Sequence, residues 1–435
     1  MKSLSRLDIL FFCALAPYLF FFFGGVRQVP FHPDESTYLY MSSDFEWVFS
    51  QPQNLFWIAG DHSDQQRYRL VDAPLTRYIL GAGRLLVGLP ALPADWDWSK
   101  SWEQNRIAGA LPDQKLLVAG RSSISVFMPL SLIFMFLIGR KSQRPLAGLF
   151  SAFLLGTNAL VLLHARRAMA EGILLFCVTL FIFSLYNSHK NLWLPAVSAV
   201  LAFNAKHSAV ALLPIGFLAA SIPSNPIEGK YRKAVVNLTL FTVTFLFITL
   251  ALNPVLWHNP LSAARAMIAA RTDLLERQVA FARQVAPQQL METPAERLAV
   301  LLTHLYVSPP IFAEAGNYLA NTAESERIYL SSPAHGLFRG LWGGGITLFF
   351  TLTGLVEGIQ TIRKNDARQR RWMWLLLIST LCFVAVYLAA VPLTWQRYVI
   401  PLIPFTSLWA GIGLDRFLSA FMRTLLKERD TPVTQ

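Results

Sequence analysis

Ten apolar stretches dominate this chain and limit what it can fold into. A helix needs roughly 20 mostly apolar residues to cross about 30 Å of hydrocarbon. Segments that meet or approach that length run at about 8–26, 116–138, 146–164, 171–187, 191–204, 207–222, 234–252, 340–361, 373–391 and 398–418. The fifth is short, as a broken or tilted helix would be. Composition agrees: 54% of the 435 residues are hydrophobic and only 15% charged. Mean hydropathy is +0.41, which excludes an ordinary water-soluble globule. The expected fold class is an all-α polytopic membrane protein with about ten transmembrane helices.

The net charge of +12 would suit a nucleic-acid partner, but the basic residues form short clusters between apolar runs and no long basic face. No nucleic-acid partner is expected. Cys13, Cys177 and Cys382 all fall inside apolar runs, where thiols behave as small buried hydrophobes, so no disulfide framework is read. Lys2 and Arg6 give the first run the basic start of a signal peptide. The later topology requires that run as an uncleaved span.

Basic residues set the orientation. With the N-terminus inside, Lys2, Arg6, "GRKSQR" at 139–144, Lys190, "KYRK" at 230–233, "RKNDARQRR" at 363–371 and "RTLLKER" at 423–429 share the inner face. The short outer turns carry only Arg166, Arg167, Lys206 and Arg397. A single membrane domain over 1–435 is expected. Its two long connections, 27–115 and 253–339, lie outside and carry interfacial helices. The first holds the Trp-rich "ADWDWSKSWEQN"; in the second, Thr293, Pro294 and Glu296 read as N-cap, first helical residue and capping-box partner.

Charges beside a bilayer are costly unless paired or facing water, which singles out the outer ones. In "FHPDESTYLYM", Pro33 starts a helix and the acids Asp34 and Glu35 suit its first turn. Adjacent helical residues point about 100° apart, whereas Asp34 and Tyr38 share a face. Asp34 is therefore the candidate acid for chemistry. Glu35 is grouped with it as a residue that positions substrate, binds a cation or pairs with an arginine. Arg166 and Arg167 in "HARRAMAE" suit a phosphate, because the planar guanidinium binds phosphate oxygens in pairs. The same can be read of Lys206 with His207, and of Arg397 with Tyr398. Interface anchoring competes with this reading at each position. Arg121 sits inside the second span and must reach the interface or a carboxylate such as Asp72. His32, Asp34, His62 and Asp64 could supply metal ligands, but no HExxH or Cys/His spacing supports a built-in zinc site. No glycine-rich nucleotide loop is present.

These stretches, taken in order, resemble the polyprenyl-phosphate-dependent glycosyltransferases of the C-type (GT-C) superfamily, particularly protein O-mannosyltransferases and the aminoarabinose transferases that modify lipid A. The resemblance rests on "HPDESTY" after the first span, "DAPLTRYILGAGR" at 72–84 and "GRSSISVFMPLSLIFMFLIGRK" in the second span. In "LLHARRAMAEGILLF", Arg166 and Glu171 match an arginine followed five positions later by an acid. "AFNAKHSAVALLP", "LNPVLWHNP" and "QRYVIPLIPF" look like later family segments. Ala73 stands where the family commonly has proline, and the larger C-terminal regions of those relatives are not seen. The resemblance implies inverting transfer of a hexosyl or pentosyl group from a polyprenyl-phosphate donor to a lipid, glycan or protein acceptor. The expected location is the periplasmic face of a bacterial inner membrane. It implies Asp34 as base, Arg166, Arg167, Lys206, His207, Arg397 and Tyr398 around the donor phosphate, and Tyr38, Asp72, Arg121 and Glu171 in support. No cofactor is required by any motif, and a divalent cation beside Asp34 is left open. A transporter or flippase of a lipid-linked anion is the rival reading, although the inverted repeats it would show are not seen.

Overall fold

A computed structural model describes residues 5–188, 192–222, 230–312, 316–364 and 367–429. Lys2, Lys190 and part of "RKNDARQRR" lie outside the described residues. The chain is a bundle of helices, and the described residues contain no strand, only an isolated antiparallel bridge between Leu290 and Leu393.

All ten apolar segments are helical, but they differ in length. Six helices are long and apolar enough to span: Arg6–Arg27, Gln114–Lys141, Tyr231–Leu252, Gly340–Arg363, Ala367–Ala390 and Gln396–Arg423. The other four, Pro145–Thr157, Glu171–Leu185, Trp193–Ala205 and His207–Ser221, have 10–17 residues. At about 1.5 Å of rise per residue they fall short of a full crossing. The expected third span is cut at Asn158, whose side chain accepts from the amides of Leu160 and Val161 (3.0 and 3.4 Å) and starts a new helix, Ala159–His164. That break turns the chain inward ahead of Arg166.

Glu171–Leu185 is buried on nearly every side, as an all-round apolar sequence requires. The helices Gly340–Lys364 and Ile403–Arg429 meet at backbone distance. A Cβ on Gly354 would lie 1.8 Å from the Trp409 carbonyl oxygen, and one on Gly413 2.0 Å from that of Phe350. At the inner end, buried Asp8 takes Arg140 (3.0 Å), and Glu357 takes Arg144 (2.5 Å).

Both long connections are helical. The first folds into Pro33–Met41, Asp44–Ser50, Asp64–Val71, Pro74–Leu86 and Trp102–Ile107; the second into Pro260–Val285, Pro294–Leu302 and Leu319–Leu330. Thr293 and Glu296 form the expected capping box (3.2 Å each way). The amides of Met291 and Thr394 bond to the carbonyls of Pro392 and Gln289 (2.8 and 3.0 Å), which fixes the strand-like stretch leading to Arg397 against the second connection.

Candidate active site

The helix Pro33–Met41 starts as its sequence dictates, with one addition. His32 is the N-cap, its Nδ1 accepting from the Asp34 amide (3.1 Å), and Glu35 closes the box by accepting from the His32 amide (3.1 Å). The nearest Asp34 carboxylate oxygen lies 3.8 Å from the same ring nitrogen.

The two adjacent acids part company here. Glu35 is fully buried, and its two oxygens receive four donors: Arg121 Nε (2.8 Å) and the Ala168 amide (2.9 Å) on one, Arg121 Nη2 (2.7 Å) and the His32 amide on the other. Burial alone would raise its carboxyl, but Arg121 and then Arg167 and the Ala168 amide hold it below the usual range. Of the roles read for Glu35, the arginine pair is the one the geometry supplies, and both of its oxygens are engaged by the protein's own donors. Arg121 likewise reaches Glu35 and not Asp72. Its helix runs beside the exit of the first span, where it also donates to the carbonyls of Val26 and Val29 (3.0 and 2.8 Å).

Arg166 and Arg167, read from the sequence as phosphate ligands, are engaged by the protein itself. Both are fully buried. Arg166 donates to the carbonyls of Phe22 and Phe21 (2.9 and 3.1 Å), contacts His335 Nε2 (3.1 Å) and lies 5.0 Å over each of the rings of Phe21 and Phe22. Arg167 donates to the carbonyls of Pro30 and Phe312 (3.3 and 3.1 Å). Arg166 thus caps the last carbonyls of the first helix, and Arg167 ties the Pro30 carbonyl to that of Phe312.

The remaining residues converge. The Asp34 carboxylate, 27% exposed, is ion-paired with Arg397, 13% exposed. Lys206 Nζ lies 2.5 Å from Glu171 Oε1. Tyr38, one turn beyond Asp34, is held well above its ordinary value by burial and then by the fields of Asp72, Glu171 and Asp34, with Arg397 opposing. Its phenol therefore stays a neutral donor among three carboxylates. Asp72 ends the helix Asp64–Val71; burial and the nearby Asp34 raise its carboxyl, and Arg271 and Arg77 act against the rise. His207, half-buried beside Lys206, bonds to the Val71 backbone, so it anchors the Lys206 turn next to Asp72. Tyr398 stacks on Trp395 at 5.8 Å, and Trp395 also lies under Arg397, 4.8 Å from ring centre to guanidinium carbon.

Sequence reasoning missed Arg271, which the second connection brings to Asp72 and His207. It is one of several arginines on the long helix Pro260–Val285, and nothing local distinguishes it. It also missed Asp95, which accepts from Thr37 (2.8 Å) and from Tyr68. Among the described residues no three His, Cys, Asp or Glu side chains gather as metal ligands, and His62 and Asp64 are exposed.

No family model and no curated protein matches the sequence. Solved structures do match. ArnT from Cupriavidus metallidurans, bound to undecaprenyl phosphate, superposes with a TM-score of 0.52 at 13% identity, over 94% of this chain and 60% of that one. The chain shares the fold of that structure. The Archaeoglobus fulgidus oligosaccharyltransferase in complex with zinc and sulfate is similar at TM-score 0.43 and 13% identity, over 80% of this chain and 41% of that one. The Saccharomyces cerevisiae protein O-mannosyltransferase Pmt1-Pmt2 complex, bound to its sugar donor, gives 0.39 and 14%, over 61% and 35%. The chain thus spans 60% of the length of ArnT, and what it shares with that protein is the polytopic GT-C arrangement.

Proposed function

We propose that this protein is an inverting glycosyltransferase that moves a hexosyl or pentosyl group from a polyprenyl-phosphate donor to an acceptor at the outer, periplasmic face of a bacterial inner membrane. The observation that carries the reading is the meeting of Asp34, Tyr38, Asp72, Glu171, Lys206 and Arg397, drawn from separate parts of the chain, within a GT-C fold. The undecaprenyl phosphate held by ArnT supports a lipid-phosphate donor.

In the reaction, an acceptor hydroxyl oxygen forms a bond to the anomeric carbon as the bond from that carbon to the phosphate oxygen breaks. The hydroxyl proton passes to Asp34, and the bonding pair leaves with the polyprenyl phosphate, whose charge grows from one to two. A positioned carboxylate contributes about 10² to 10⁴ in rate. Lys206 and Arg397 face the growing phosphate charge, and loss of one comparable donor costs about 3 kcal/mol. Tyr38 donates a hydrogen bond without adding charge. Arg271, at the end of a long side chain beside Asp72, closes the site from the second connection.

Reconstitution with a panel of polyprenyl-phosphate sugars tests this, following sugar loss and product mass with and without a chelator. Product should form only when an acceptor is present, and Asp34→Asn should lower turnover at least 10²-fold. Sugar release without acceptor, or near-normal turnover of Asp34→Asn, would sink the proposal. Movement of intact donor across the bilayer would instead make the protein a flippase.

A further inference from the structure

Both cations assigned to the donor phosphate already hold a carboxylate. Arg397 holds Asp34, and Lys206 holds Glu171. The two pairs are adjacent, since Arg397 also lies within electrostatic reach of Glu171 and Asp34 within that of Tyr38, which Glu171 feels too. The Glu171 carboxylate differs from Glu35, the structural acid beside the same site. Glu35 receives four donors on its two oxygens. Glu171, 2% exposed, has Lys206 on Oε1 and no hydrogen-bond partner for Oε2 among the described residues. A buried carboxylate built for permanence is fully satisfied, and one left with an idle oxygen is suited to changing partners.

We propose that Asp34 and Glu171 occupy the place of the donor phosphate, and that the donor, on binding, takes Arg397 and Lys206 from them. This rests on the donor-phosphate reading above and deepens it. The exchange is balanced in charge: two side-chain carboxylates give up two cations to the phosphate group, which reaches two charges as it departs. It also settles a difficulty of the mechanism. A carboxylate bound to a guanidinium is a weak base, because the cation favours its charged form. Asp34 becomes an effective base only after the donor has drawn Arg397 away, so the donor binds first and the acceptor is activated only in its presence. Glu171 is a positioning residue that holds Lys206 in the site when no donor is present.

Equilibrium binding of a short-chain polyprenyl phosphate to the full-length protein in lipid nanodiscs tests the exchange. Asp34→Asn and Glu171→Gln should each bind the probe roughly fivefold more tightly than the unaltered protein, since each removes a competing anion of a partly exposed pair. Arg397→Ala and Lys206→Ala should bind more weakly. Tightening is a readout that a merely structural role does not produce, and a variant that binds more tightly is folded. For Asp34→Asn it should accompany the loss of turnover. Unchanged or weaker binding in both Asp34→Asn and Glu171→Gln, with normal binding by the unaltered protein and weakened binding in Arg397→Ala, overturns the exchange and leaves the donor site standing. Absence of binding by the unaltered protein overturns both.

Discussion

Two sets of cations at the outer end of the bundle look alike in sequence and behave differently in space. Arg121, Arg166 and Arg167 are at most 2% exposed. Most of their hydrogen bonds end on backbone carbonyls of the 21–30 segment. Lys206 and Arg397, 20% and 13% exposed, end on the side-chain carboxylates of Glu171 and Asp34. A carbonyl cap is part of the chain's own course and has nowhere to go. A carboxylate on a rotatable side chain can be exchanged for another anion. The first set holds the chain where it leaves its first span, and the second is the one we propose for the ligand.

Breaking the first set should cost most. Arg121→Ala leaves Glu35 buried without its ion partner, and removal of one member of such a pair costs about 3–5 kcal/mol. Arg397→Ala, at a partly exposed pair, should cost about 1 kcal/mol or less. Denaturant titration in detergent compares the two, and similar losses would erase the distinction.

The next effect comes from Gly25→Ala. The added Cβ would lie 2.3 Å from the guanidinium carbon of Arg166, and overpacking of this kind costs about 1–3 kcal/mol. Phosphate-probe affinity per folded molecule should not change. A fall in affinity at full stability would return Arg166 to the donor site.

The smallest effect is one of pH. The Glu35 carboxyl is held below its ordinary value. Its contribution is therefore complete above the unfolded value of about 4.3 and is lost as pH falls through the folded one. A protonated carboxyl still accepts on one oxygen, so the decline should be gradual. Melting temperatures between pH 7 and 3 should fall less steeply in Glu35→Gln than in the unaltered protein, and parallel curves would show that Glu35 is not the titrating group.

Much of the site was legible from residue type and order. Asp34, Tyr38, Lys206 and Arg397 stood out because charge beside a bilayer must have a purpose, and Asp34 with Tyr38 followed from helical spacing alone. What was not legible was partner choice. Glu35 is next to Asp34 in the chain, yet about 100° of helical rotation separates an acid paired with Arg397 from one paired with Arg121. Arg271 could not be picked from the other arginines of its helix, because only the docking of the second connection brings it to Asp72.

The apolar runs alone determined that this chain is a helical membrane bundle, because their length and period admit nothing else, and proline, serine, threonine and asparagine fixed where many helices begin. Tertiary structure alone decided which carbonyl or carboxylate each cation meets. An arginine's partner depends on what lies within the few ångströms its side chain can reach, and those neighbours come from elements distant in sequence: Phe22 and His335 for Arg166, Asp34 for Arg397.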